Sequence, residues 1–133
     1  MSSYPSDDEE NHTYTRSENG HGEKWFVSRL WVAAKGLPVI TVPIEDIPDL
    51  FNEDSWVSHW REPEGFWIKD EIFRVREADL SFPVILHPDG HLMDGYHRVC
   101  KALMAGWTTI EAVRFTPASL PLPDFVWDTQ KRA

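Results

Sequence analysis

The stretch that most restricts the fold runs from Phe82 to Phe115, FPVILHPDGHLMDGYHRVCKALMAGWTTIEAVRF. Pro83–His87 is β-rich, and Pro88-Asp89-Gly90 is strong turn chemistry, because proline presets φ and glycine accepts positive φ. His91–Asp94 then returns as the second strand of a hairpin. From Gly95 the pattern changes to helical, with Asp94 the expected N-cap and Tyr96, Val99, Cys100 and Leu103 the expected buried stripe. Gly106 fits the helix stop, and Thr108–Phe115 alternates as a further strand. Strand, turn, strand, helix and strand in so few residues predict an α+β domain built on one small mixed sheet.

The flanking residues extend that plan. The spacing around Trp25, Arg29 and Val32 predicts a helix ended by Gly36 and Pro38. LPVITVPI (Leu37–Ile44) predicts a strand, and EDIPDLF a turn or short helix with Asp46 or Asp49 as its cap. The segment NEDSWVSHWREPEGFWIKD is aromatic, charged and aperiodic, and reads as a loop with one helical turn near Glu53–Trp60. The proline-rich end, TPASLPLPDFVWD, reads as an extended tail that packs Phe125 or Trp127 back on the body.

Composition sets the outer bounds. A chain of 133 residues with 41% hydrophobic residues has room for one domain and a real core. Residues 1–24 carry six acids against Arg16 and Lys24, with few bulky apolar residues, so they read as a disordered acidic arm. The folded domain is then residues 25–133. The formal net charge is −9, which argues against autonomous binding to nucleic acid or an anionic membrane. The single cysteine, Cys100, excludes an internal disulfide framework. No apolar run is long enough to span a bilayer, and MSSYPSDDEE lacks the features of a secretory leader, so the expected location is cytoplasmic.

The chemistry is concentrated at Asp94-Gly95-Tyr96-His97-Arg98. A helix start presents unpaired N–H groups and the positive end of the macrodipole. Gly95 permits close approach, and His97 and Arg98 place cationic groups in a turn that favours anions. Lys101 follows His97 by one turn. Such a set suits a phosphate. The competing reading pairs Arg98 with a nearby acid, Asp79 or Asp94, and leaves His97 as a surface residue.

This run resembles the core of the ParB/sulfiredoxin superfamily, whose pattern is strand, hairpin, a Gly-x-(His/Arg)-Arg motif, helix and strand. Here the motif is Gly95-Tyr96-His97-Arg98, with Ala102 in the small-residue position. The resemblance extends over roughly residues 37–115, since ITVPIEDIPDL is similar to the family's first strand and following helix. It implies a single ParB/sulfiredoxin-type domain that binds nucleoside phosphates (ATP, ADP or CTP, with Mg²⁺) through Gly95, His97, Arg98 and Lys101. It also implies an ATPase or phosphotransferase as the accessible enzyme class, with Asp94 or Glu45 (or Asp46) as the base toward an acceptor hydroxyl. Tyr96 stands where sulfiredoxin has its catalytic cysteine, so sulfiredoxin activity is not expected. The chain carries no recognisable helix-turn-helix after the motif, so ParB-like DNA binding is not expected either.

Two other constellations carry weaker expectations. His87, His91, Asp94 and His97 are close in sequence, but strand alternation separates Asp94 from His91, and no metal site is expected. Trp56, Trp60 and Trp67 suit the sealing of a small core or a partner-facing patch. The alternative function is therefore a non-catalytic interaction module, a plasmid-maintenance or toxin–antitoxin accessory that uses the acidic arm or the tryptophan-rich segment. A ParB-like nuclease ranks third, because an acidic chain with no convergent metal ligands suits it poorly.

Overall fold

The computed structural model describes residues 13–51 and 75–128. The protein is a small α+β domain with two sheets, one of them mixed. In chain order the strands are β1 (Thr13–Glu18), β2 (His21–Phe26), β3 (Ile40–Pro43), β4 (Val84–Leu86), β5 (Leu92–Asp94), β6 (Thr109–Arg114) and β7 (Phe125–Asp128). The helices described along their whole length are α1 (Val27–Ala34) and α2 (Tyr96–Met104), and residues 75–77 are helical as well. Two 3₁₀ turns, Ile44–Asp46 and Pro48–Phe51, follow β3.

The four-stranded sheet has the order β3-β6-β4-β5. Its β4–β6 pair is parallel, while β3–β6 and β4–β5 are antiparallel. Each face is covered. On one side α1 offers Val27, Leu30, Trp31 and Ala34, the i, i+3, i+4, i+7 stripe of an amphipathic helix, which packs with Ile85, Met93, Val113 and Phe115. On the other, Val99 and Ala102 of α2 pack with Val84, Leu86, Leu92, Ile110 and Ala112. Neighbouring residues of β4 therefore serve opposite cores, which explains a strand that is apolar at every position.

The predicted hairpin, helix and closing strand are present between residues 83 and 115, and β3 and α1 lie within their predicted segments. Four expectations need correction. The arm expected to be disordered is ordered in its second half. Thr13–Glu18 and His21–Phe26 form an antiparallel hairpin whose turn is Asn19-Gly20, both with positive φ, the backbone that a two-residue hairpin demands. The expected single sheet is two, because β2 also pairs β7 from the proline-rich tail, giving the order β1-β2-β7. The buried face of α2 is Arg98, Val99, Cys100 and Ala102, with Leu103 exposed. Gly95, not Asp94, occupies the N-cap position, and no side chain caps the helix. The first twelve residues and the aromatic segment with Trp56, Trp60 and Trp67 lie outside the described residues.

The second sheet is tied to the first by side chains. Trp25 of β2 is fully buried, packs at a tilt against Tyr14 and edge-on to His87, and donates its indole N–H to the Pro121 carbonyl at 2.8 Å. Asp124, just before β7, accepts the Phe26 backbone N–H at 2.9 Å and pairs with Arg29 of α1.

Candidate functional site

The turn from β5 into α2 is built around Gly95. Its φ of 114° lies in the region that side chains resist, and a Cβ there would stand 2.5 Å from Val84 Cγ1. The glycine thus lets the chain reverse from β5 into α2 while pressed on β4. No acid lies in the first turn of α2.

Behind this turn lies a buried strut. Asp94 is 3% exposed and Arg98 5%. Asp94 Oδ2 accepts the Trp31 indole N–H at 2.8 Å and an Arg98 Nη2–H at 3.3 Å. The same Nη2 donates to the Pro83 carbonyl at 3.3 Å. The guanidinium carbon lies 5.5 Å from the Trp31 ring centroid, in cation–π range, and Phe82 meets that ring edge-on. Arg98 Nε is buried without a hydrogen-bond partner. Burial pulls the Arg98 guanidinium below its ordinary value, and the Asp94 carboxylate opposes that pull. The guanidinium stays charged at any practical pH. The strut therefore links α1, β5 and α2 through one ion pair.

Each expected site residue can now be placed. Gly95, His97 and Arg98 share the start of α2, with His97 half-buried. Arg98 makes the Asp94 pairing that the competing reading anticipated. Lys101 donates to the carbonyls of Arg76 and Ala78, both at 2.8 Å, so its ammonium ties α2 to the segment before β4. Asp94, expected as a base, is enclosed in the strut. Glu45 is exposed on the turn after β3, and among the described residues no hydrogen bond or ion pair joins it to the start of α2. No group of three or more His, Cys, Asp or Glu among the described residues is placed to hold a metal ion.

A polar cluster that the sequence reading missed adjoins the same turn. Asp49, on the second 3₁₀ turn, accepts the Leu92 N–H on Oδ1 at 2.7 Å. That oxygen lies 3.3 Å from His91 Nδ1, and Oδ2 lies 3.5 Å from the hydroxyl of Tyr96, the first residue of α2. Burial, followed by the Asp49 charge, holds the Tyr96 phenol far above its ordinary value, so it stays protonated. Beside it, Asp89 accepts the His91 backbone N–H at 3.0 Å and pairs with Arg16 at 2.6 Å. Arg16 also donates to the Tyr14 hydroxyl at 2.9 Å. Tyr14 and Arg16 are two apart on β1 and so share a face. Burial works against the Asp89 charge, but the His91 N–H, Arg16 and His87 outweigh it and hold the carboxyl below its ordinary range. The Asn19-Gly20 turn was the available signal for this face, because it places Tyr14 and Arg16 on a strand.

A cleft of about 260 Å³ lies next to the strut, lined by Trp31, Ala34, Leu37, Val39, Pro83 and Val113, with Lys35 also in its wall. Among the described residues no helix is long and apolar enough to cross a membrane. No family model, curated protein or solved structure matches the chain.

Proposed function

We propose that the chain binds the phosphate groups of a nucleotide at the start of α2, as a small protein of the ParB/sulfiredoxin type. The observation that carries this reading is the helix start itself. It has a left-handed glycine, no capping side chain and no first-turn acid, with His97 and Arg98 in that turn. Backbone N–H groups and the helix dipole favour an anion there. The Gly-x-His-Arg resemblance gives the anion its class, a nucleoside di- or triphosphate. The role of Arg98 differs from a direct ligand: it fixes the turn from beneath through Asp94, and the seat would be the first-turn backbone N–H groups, with His97 in the same turn. Magnesium would arrive on the phosphates, since the described acids and histidines build no cation site of their own.

The test is calorimetric titration of ATP, ADP and CTP, each with Mg²⁺, into wild type and His97→Glu. An acid in the first turn opposes a bound phosphate, so affinity is expected to fall at least tenfold while the circular dichroism is unchanged. Absence of binding by all three nucleotides, or equal affinity in the variant, refutes the reading.

A further inference from the structure

The opposite end of α2, where the chain passes from the helix into β6, carries a second concavity. Its volume is about 330 Å³, at the small end of the ~300–1,000 Å³ that ligand sites occupy. It originates in a mismatch of strand lengths. β4 starts at Val84, opposite Ala112, so residues 109–111 of β6 have β3 on one side and, among the described residues, no strand on the other. Thr41 of β3 stands directly opposite Glu111, and Thr109 is two residues before it, so the three share one face. That face is covered at Val113, which packs in the core with α1, and is exposed at Glu111, Thr109 and Thr41. Trp107, Thr108 and Leu80 complete the wall.

Trp107 is the distinctive member. It is 44% exposed, whereas Trp25 and Trp31 are buried. Its backbone is nevertheless fixed. The Trp107 N–H donates to the Ala102 carbonyl at 2.9 Å and the Gly106 N–H to the Leu103 carbonyl at 3.0 Å. These are the paired bonds of a Schellman motif, with Gly106 at a φ of 86°. The next carbonyl, that of Thr108, accepts the Ile44 N–H at 2.9 Å. A large ring held on a rigid turn and left open to solvent is a preformed contact surface. Among the described residues, no hydrogen bond or ion pair engages the Trp107 indole N–H, the Glu111 carboxylate or the hydroxyls of Thr41, Thr108 and Thr109.

We infer that this pocket binds a neutral pyranose sugar, stacked on Trp107 and held at its hydroxyls by Glu111 and the three threonines. A pyranose ring has an apolar C–H face and a rim of hydroxyls. The indole and Leu80 suit the face. Threonine hydroxyls both donate and accept, and a carboxylate accepts strong O–H···O⁻ bonds. The lining holds no Lys, Arg or His, and Glu111 is its one charge, so an anion is disfavoured and the pocket is separate from the phosphate seat. A quaternary ammonium would suit Trp107 and Glu111 but would leave the three hydroxyls without partners.

The experiment follows the Trp107 indole N–H of full-length protein by two-dimensional proton–nitrogen NMR, with the signal assigned by its loss in Trp107→Phe. The probes are the methyl glycosides of glucose, galactose and mannose, and N-acetylglucosamine, with sorbitol, choline and adenosine as comparisons. At least one pyranose is expected to shift the signal with a saturable millimolar Kd. Sorbitol, which has hydroxyls but no ring face, is expected to leave it in place. The backbone amides of Thr109 and Glu111 report Kd in the variants, where Trp107→Ala and Glu111→Gln should each weaken binding about tenfold or more. Glu111→Gln, at an exposed strand position, keeps the test open if Trp107→Ala fails to fold. No shift by any pyranose, sorbitol acting as well as the pyranoses, or wild-type affinity in the variants overturns the inference. A signal moved by choline or adenosine and by no sugar also overturns it, and assigns the pocket to that class. The nucleotide titration reads the start of α2 and stands or falls separately.

Discussion

If the Asp94–Arg98 pair is a structural strut, neither partner tolerates loss of the other, while loss of both is tolerated. Both side chains are almost fully buried, at 3% and 5% exposure. Asp94→Asn leaves a buried guanidinium without its counter-charge, with Nε already unsatisfied. Arg98→Met leaves a carboxylate served by the Trp31 indole. Breaking a buried pair from either side costs about 3–5 kcal/mol, because an uncompensated charge stays behind. The double variant removes both charges. Its Asn oxygen still accepts the Trp31 N–H, and the Met chain replaces the arginine stem, so the cost is expected to stay below about 2 kcal/mol. The coupling is then several kcal/mol, large enough to reverse the usual order and make the double variant more stable than either single. Urea unfolding followed by tryptophan fluorescence reads this directly. With a slope of ~1–3 kcal/mol per molar for a small protein, each single change moves the midpoint down by about a molar or more. Additive effects, with the double variant the least stable, refute the strut.

Two further predictions concern the same region. Gly95→Ala must place a methyl 2.5 Å from Val84 Cγ1 at a φ of 114°, so backbone strain and overpacking together should cost about 2–5 kcal/mol, read as a lower urea midpoint at unchanged slope. A midpoint within error of wild type would contradict the turn geometry. Burial, then the Arg16 cation, holds the His87 imidazole below its ordinary 6.5, with Asp89 and Glu23 opposing. The unfolded chain therefore binds the proton first as pH falls, so stability should decline below about pH 6.5 and rise again with pH. His87→Asn should flatten the part of that slope between pH 7 and pH 5, and an unchanged slope would remove His87 as its source.

What was legible in the sequence followed from how local each signal is. The β4–β5 hairpin and α2 are specified by neighbours: Pro88-Asp89-Gly90 fixes the turn, and the apolar spacing after Gly95 fixes the helix. The three-stranded sheet was missed for the opposite reason. Averaged over residues 1–24, six acids outweigh everything else, yet Asn19-Gly20 is a strong short-range hairpin signal. The strand is then held by partners far away in the chain, with Arg16 on Asp89 and Trp25 on the Pro121 carbonyl. Composition measured over a window cannot register such contacts, because their stabilisation comes from the other end of the sequence.

The candidate site shows the same division at the level of single residues. Asp94, Gly95 and Arg98 could be selected from the sequence as a group, and the structure does bring them together. Their spacing, though, satisfies two demands at once. An i, i+4 pair across a helix start places an acid beside a guanidinium whatever binds above it, and a left-handed glycine is needed wherever β5 must turn into α2 against Val84. The motif therefore specifies a rigid turn before it specifies a ligand. The Asp49, His91 and Tyr96 contacts are different, because Asp49 lies outside that run. Asp49 comes from a 3₁₀ turn far away in the sequence, and only the folded chain brings it to His91 and Tyr96.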